Sequence, residues 1–155
     1  MNNKEDLIFI FIFSIIALSL FLLIVIPRKT EAADRDTFIP ESQVKLCESL
    51  GAEYGICPEV LEALIEVESA GKMSAQNGSC YGICQINGAV WGSDYNTEEK
   101  QIRKACEMLL SYELPIDEAL SRYNGQSNYH YDGYVKKVLN RSHELEELHY
   151  GLSTN

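Results

Sequence analysis

The sequence predicts a mainly α-helical domain preceded by one membrane-spanning helix, and three observations carry that reading. Apolar residues recur at helical spacing across residues 41–148, no stretch alternates with period two for long, and one long N-terminal run is wholly uncharged. A length of 155 residues suits one modest domain with an appendage, and 46% hydrophobic with 23% charged residues is the composition of a globular chain, not a disordered one.

After a short tail at residues 1–6, the run Leu7–Ile26 contains no charge, no Gly and no Pro. As a helix rising about 1.5 Å per residue it would span roughly 30 Å, the hydrocarbon thickness of a bilayer. A secretory signal has a shorter apolar core of about 7–15 residues, so we read an uncleaved signal anchor, with a weak cleavage site at Thr30-Glu31-Ala32 as the alternative. Lys4 on one side and Arg28 and Lys29 on the other leave its orientation undecided by charge. Residues 27–40 are polar, aperiodic and end in Pro40, the pattern of a linker. The domain is then expected at 41–148 and a C-terminal tail at 149–155.

Within the domain, Val44, Leu46, Cys47 and Leu50 give Glu41–Tyr54 a helical pattern, interrupted late by Gly51. Pro58 suits the first position of a second helix, Pro58–Ser69, with Gly71 as its stop. Residues 72–82, rich in Gly, Ser and Asn, form a loop before a short apolar segment, Ile83–Trp91. Thr97 is placed to cap a third helix that runs through Ile102, Ala105, Cys106, Leu109 and Leu110 to Tyr112. Pro115–Tyr123 is a further short helix, Asn124–Asn128 a turn, and Tyr131–Leu148 the last helix.

Beyond residue 30 the chain keeps ten basic and twenty-one acidic side chains, a net charge of about −11. That excludes a nucleic-acid-binding surface, which needs clustered Lys and Arg. Cys47, Cys57, Cys80, Cys84 and Cys106 all follow the apolar run, a density that favours an oxidising compartment and disulfides, with buried free thiols as the plainer alternative. No metal site is expected, because the cysteines show no paired CxxC spacing and His130, His143 and His149 are scattered.

On a helical wheel for residues 58–69 with Val60 at zero, Leu61, Leu64, Ile65 and Val67 form an apolar stripe between about −20° and 140°. Glu59, Glu62 and Glu66 cluster between about 200° and 260°, on the side expected to face water. Glu68 falls near 80°, inside the apolar stripe. A carboxyl moved out of water, in the last turn of a helix, is pushed toward its protonated form by desolvation and by the helix's negative end. A carboxyl that holds its proton near neutral pH can donate it to a leaving oxygen, as a glycosidase's general acid does. The alternative is that Glu68 marks the fraying end of the helix.

Three downstream stretches join Glu68-Ser69 in one pattern: Tyr81-Gly82-Ile83-Cys84-Gln85-Ile86-Asn87, Arg122-Tyr123-Asn124-Gly125, and Tyr134-Val135 in the final helix. In order and spacing they resemble the transglycosylase domain of the soluble lytic transglycosylases over about residues 41–139. The resemblance implies a lysozyme-like helical fold with a substrate groove. It also implies Glu68 as the single catalytic acid and base and Ser69 as a neighbour that orients substrate or carboxyl. Gln85 would line the groove, Tyr123 would hydrogen-bond the catalytic carboxyl, and Asn124 would contact substrate. The implied reaction is cofactor-free cleavage of the bond between N-acetylmuramic acid and N-acetylglucosamine in peptidoglycan, ending in a 1,6-anhydro ring. That substrate would place the domain outside the cell membrane on a single-pass anchor.

Cys84 departs from the usual methionine of the pattern and would alter the groove wall or join a disulfide, and Gly125-Gln126 departs from its Ala-Gly. Two other functions remain open. A lysozyme-type muramidase would use water with Asp94 as second carboxylate, and a catalytically silent peptidoglycan-binding module would serve an envelope-spanning secretion or conjugation apparatus. Trp91, Tyr129, Tyr131 and Tyr134 would either stack on sugar rings or belong to the core.

Overall fold

A computed structural model of the chain describes residues 37–126 and 133–151. The expected anchor at 7–26, nearly all of the linker, and Tyr129, His130 and Tyr131 lie outside the described residues. Among the described residues no helix is long and apolar enough to cross a membrane. The domain is mainly helical, as the spacing predicts, in the order α1 (Glu41–Tyr54), α2 (Pro58–Ser69), β1 (Gln76–Asn77), β2 (Cys80–Tyr81), β3 (Ile86–Asn87), α3 (Gly88–Trp91), α4 (Glu98–Ser111), α5 (Ile116–Tyr123) and α6 (Gly133–Tyr150).

Local chemistry sets most of these boundaries. Gly55 closes α1 in the left-handed region at φ 69°, returning its N–H to Gly51 O. Gly51 does not interrupt α1; it lets the chain turn tightly behind the helix, since a Cβ there would stand 2.7 Å from Ile56 O. Pro58 starts α2, which stops at Ala70 (φ 51°) and Gly71 (φ 74°), one residue before the expected glycine stop. Thr97 caps α4 by accepting the Lys100 N–H, with Glu98 and Glu99 in the positive first turn. The last helix reaches Tyr150, two residues past its expected end. The loop at 72–82 and the apolar segment after it hold the one departure from helix, an antiparallel sheet of two-residue strands ordered β1-β2-β3, in register Asn77 with Cys80 and Tyr81 with Ile86. Strands this short give no readable alternation.

Helix α2 is the centre of the fold. It packs on α1 on one side and runs antiparallel along α6 on another, while α4 packs on α1, α5 and β3. Leu61, Leu64 and Ile65 of α2 meet Val44, Leu50, Ile83, Ile86, Ile102, Leu120, Val135, Val138 and Leu145 in one continuous core.

The position of α6 corrects the helical wheel. Glu59 is 3% exposed and Glu62 0%, so the side of α2 expected to face water is buried. Glu66 is covered as well: Arg141 Nε donates to its Oε2 at 2.6 Å, and the Phe38 N–H donates to its Oε1 at 3.0 Å. A wheel reads one helix at a time, and the basic partners that make this burial tolerable come from the other end of the chain. The cysteine expectation also changes: Cys47, Cys57, Cys80, Cys84 and Cys106 are free thiols, with Cys47, Cys84 and Cys106 buried.

Arg141→Ala leaves Glu66 covered and short of its cation, and is expected to cost about 2 kcal/mol in urea unfolding. The double variant Arg141→Met/Glu66→Leu, which removes both charges and keeps the volume, should recover most of that loss.

Candidate functional site

Glu68 sits in the last turn of α2, half-buried, where α6 and the segment after β2 converge on the helix end. Tyr134, in the first turn of α6, donates its hydroxyl to Glu68 Oε1 at 2.6 Å. Burial pushes the Glu68 carboxyl above its ordinary value, and the Tyr134 hydrogen bond, which favours the charged form, pulls part of the way back. With Tyr134 on Oε1, the proton of the neutral form belongs on Oε2. The result is a carboxyl poised to hold a proton and oriented by one donor, the condition a general acid needs.

The other expected residues build the wall beside Glu68. Ser69 Oγ donates to Ile83 O at 2.9 Å, fastening the end of α2 to the chain between β2 and β3. Gln85 occupies the left-handed region at φ 48°, and its Nε2 donates to Gly82 O at 2.9 Å and Ala75 O at 3.2 Å, so the amide that was expected to line a groove shapes the loop. Tyr123 OH donates to Cys84 O at 2.6 Å. In this structure the tyrosine bonded to Glu68 is Tyr134, while the Tyr123 hydroxyl, expected at that carboxyl, goes to the backbone beside it. Burial pushes the Tyr123 hydroxyl far up, keeping it a donor. Asn124 follows directly as the exposed C-terminal cap of α5, its N–H returned to Leu120 O at 3.0 Å.

One residue that sequence reading passed over completes the support. The buried Gln101 of α4 accepts the Cys84 N–H on Oε1 at 3.1 Å and donates from Nε2 to Tyr95 O at 2.9 Å. Its side chain lies where a Cβ on Gly82 would stand, 2.3 Å from Nε2, and Gly82 itself is at φ 79°, so glycine is required there twice over. The signal for Tyr134 was present in the sequence, as the Tyr-Val pair of the final helix. Gln101 left none, because a lone Gln on a helix reads as surface.

Cys84 does not reach a groove wall or a disulfide; its side chain is buried in the core as a free thiol. Asp94 is exposed in the segment between α3 and α4. Trp91 is 41% exposed, with Lys104 Nζ 3.9 Å from its ring centre. A cavity of about 510 Å³ lies along α2 and α6, lined by Phe38, Val67, Ala70, Lys137 and Asn140 among others, and Glu68 is not in its wall. No protein-family model matches the chain, and no curated protein matches it.

Because the folded protein holds the Glu68 proton more tightly than the unfolded chain does, it is favoured at low pH and loses that advantage as pH rises through the raised folded value. Glu68→Gln should therefore be at least as stable as wild type at pH 7, measured by urea unfolding. Tyr134→Phe removes the interaction that favours the carboxylate and should move the Glu68 titration further upward, read by NMR of the side-chain carboxyl.

Proposed function

We propose that this protein is a peptidoglycan lytic transglycosylase with a lysozyme-like domain, in line with its resemblance to the soluble lytic transglycosylases. The observation that carries the reading is Glu68: one carboxyl, desolvated at a helix end, with its pKa raised and one oxygen held by Tyr134. The mainly helical architecture with a small three-stranded sheet after the glutamate helix is consistent with that fold.

In the proposed reaction Glu68 Oε2 donates its proton to the glycosidic oxygen as the bond from that oxygen to muramic C1 breaks. The substrate's N-acetyl group stabilises the cationic centre. The Glu68 carboxylate then accepts the proton of the muramic C6 hydroxyl, and O6 bonds to C1, closing the 1,6-anhydro ring and restoring the acid. No water enters, so a single carboxyl suffices. Ser69, Gln85, Tyr123 and Asn124 support substrate or the wall beside the carboxyl. Asp94 is exposed in the segment between α3 and α4, without the half-buried setting of Glu68, and offers less to a water-using mechanism than Glu68 offers to this one.

With this substrate the domain stands outside the cell membrane, anchored through residues 7–26. A role in local wall opening for an envelope-spanning apparatus fits the same chemistry.

Incubating the full-length protein with purified peptidoglycan should release fragments ending in 1,6-anhydro-muramic acid, identified by mass spectrometry as one water lighter than reducing ends. Reducing ends would assign a muramidase instead. Glu68→Gln should lower the rate by about 10²–10⁴, with glycan binding retained.

A further inference from the structure

At the opposite end of the α2–α6 seam from Glu68, three residues far apart in sequence meet out of water. Glu59 and Glu62 lie one turn apart on α2, and His149 stands at the end of α6; their side chains are 3%, 0% and 7% exposed. One ligand atom from each lies within 4.8 Å of the others. Nothing in the spacing of these residues points to a metal, because ninety positions separate His149 from Glu59.

The hydrogen bonds fix how the imidazole is presented. Glu59 Oε1 is 3.1 Å from His149 Nδ1, and Glu59 Oε2 accepts from Cys57 Sγ at 2.9 Å. Glu59 is an acceptor in both contacts, so the Nδ1 proton is directed at its Oε1 and Nε2 presents its lone pair. That atom is buried, has no hydrogen-bond partner among the described residues, and points at Glu62 Oε2 across 3.9 Å. A shared proton would draw the two atoms to about 3 Å. Two donors at about 2.0–2.1 Å from one tetrahedral ion stand about 3.3–3.4 Å apart, so the pair, 3.9 Å apart without an ion, closes by about half an ångström to hold one.

We propose that Glu59, Glu62 and His149 form a buried site for one divalent cation of the zinc type, which fastens the end of α6 to α2. His149 Nε2 and the Glu62 carboxylate are the ligands, and Glu59 is the carboxylate behind the imidazole that sets its tautomer and angle. A nitrogen and oxygen donor set suits Zn²⁺ or Co²⁺ better than Mg²⁺ or Ca²⁺, which favour oxygen alone. The site is closed and remote from the carboxyl of Glu68, so its effect is on stability.

The test is titration of chelator-stripped full-length protein with Co²⁺ alone and Zn²⁺ alone. Metal per chain is counted after desalting, and thermal unfolding is followed. The expected result is one cation per folded chain, a raised Tm, and Co²⁺ absorption bands of an N/O site. Glu62→Gln and His149→Gln should each abolish the Tm rise, and Glu59→Gln should weaken binding about 10–100-fold. Independently of any variant, Co²⁺ should shift and broaden the ring resonances of His149 and leave those of the exposed His143 in place. Folded wild-type protein that retains no cation, variants that bind as well as wild type, or an effect confined to His143 would each overturn the site.

Discussion

Helix α2 has no side given over to water, and the rest of the structure answers that constraint. Its apolar stripe enters the core between α1 and the segments that follow, and its acidic side is covered by α6. A carboxylate removed from water must find donors or a counter-charge, or else take up a proton. Along one seam each solution appears in turn. Tyr134 meets Glu68, Arg141 meets Glu66, and His149 meets Glu59 and Glu62. The partners stand about two turns apart on α6, the interval at which an antiparallel helix returns the same face to its neighbour. The three resolve differently: Arg141 supplies a permanent charge, His149 supplies a ring nitrogen whose opposite side is free to bind, and Tyr134 supplies a neutral donor too weak to cancel the burial of Glu68. The last leaves the half-buried Glu68 with its pKa raised.

Much of the fold was legible because local chemistry decides it. Pro58, Gly55, Gly71 and Thr97 set helix ends within a residue or two, and the apolar spacing of α1, α2 and α4 matches the residues found in the core. The placement of Glu68 on the core side was also legible, since it depends only on angular position along α2. What the sequence could not show was which elements lie beside α2. The expectation that Glu59, Glu62 and Glu66 face water failed because the covering helix starts more than sixty residues later. The short sheet was missed because two residues per strand make no pattern. That Tyr134 bonds Glu68 was not legible for a similar reason: the packing of α5 against α6 decides which tyrosine hydroxyl reaches the carboxyl.

The wall facing Glu68 is held by contacts that leave little slack. Ser69, Tyr123 and Gln101 each bond the backbone between Ile83 and Cys84, and Gln85 bonds the loop from within. Four polar side chains thus spend their hydrogen bonds on a stretch of a few residues, which fixes the distance between a half-buried acid and the surface it faces. Rigid positioning of this kind suits the proposed reaction, in which one acid meets a glycosidic oxygen and then a hydroxyl on the same sugar.

The proposed acid chemistry requires Glu68 to keep its proton in the folded protein. The most direct measurement is the side-chain carboxyl titration of Glu68, followed by carbon-detected NMR in the full-length protein, with Glu68→Gln to assign the signal. A midpoint above the ordinary glutamate value of about 4.3, moving higher in Tyr134→Phe, is the predicted result. A midpoint at or below that value would contradict it, because Glu68 would then be an ordinary carboxylate with no proton to give.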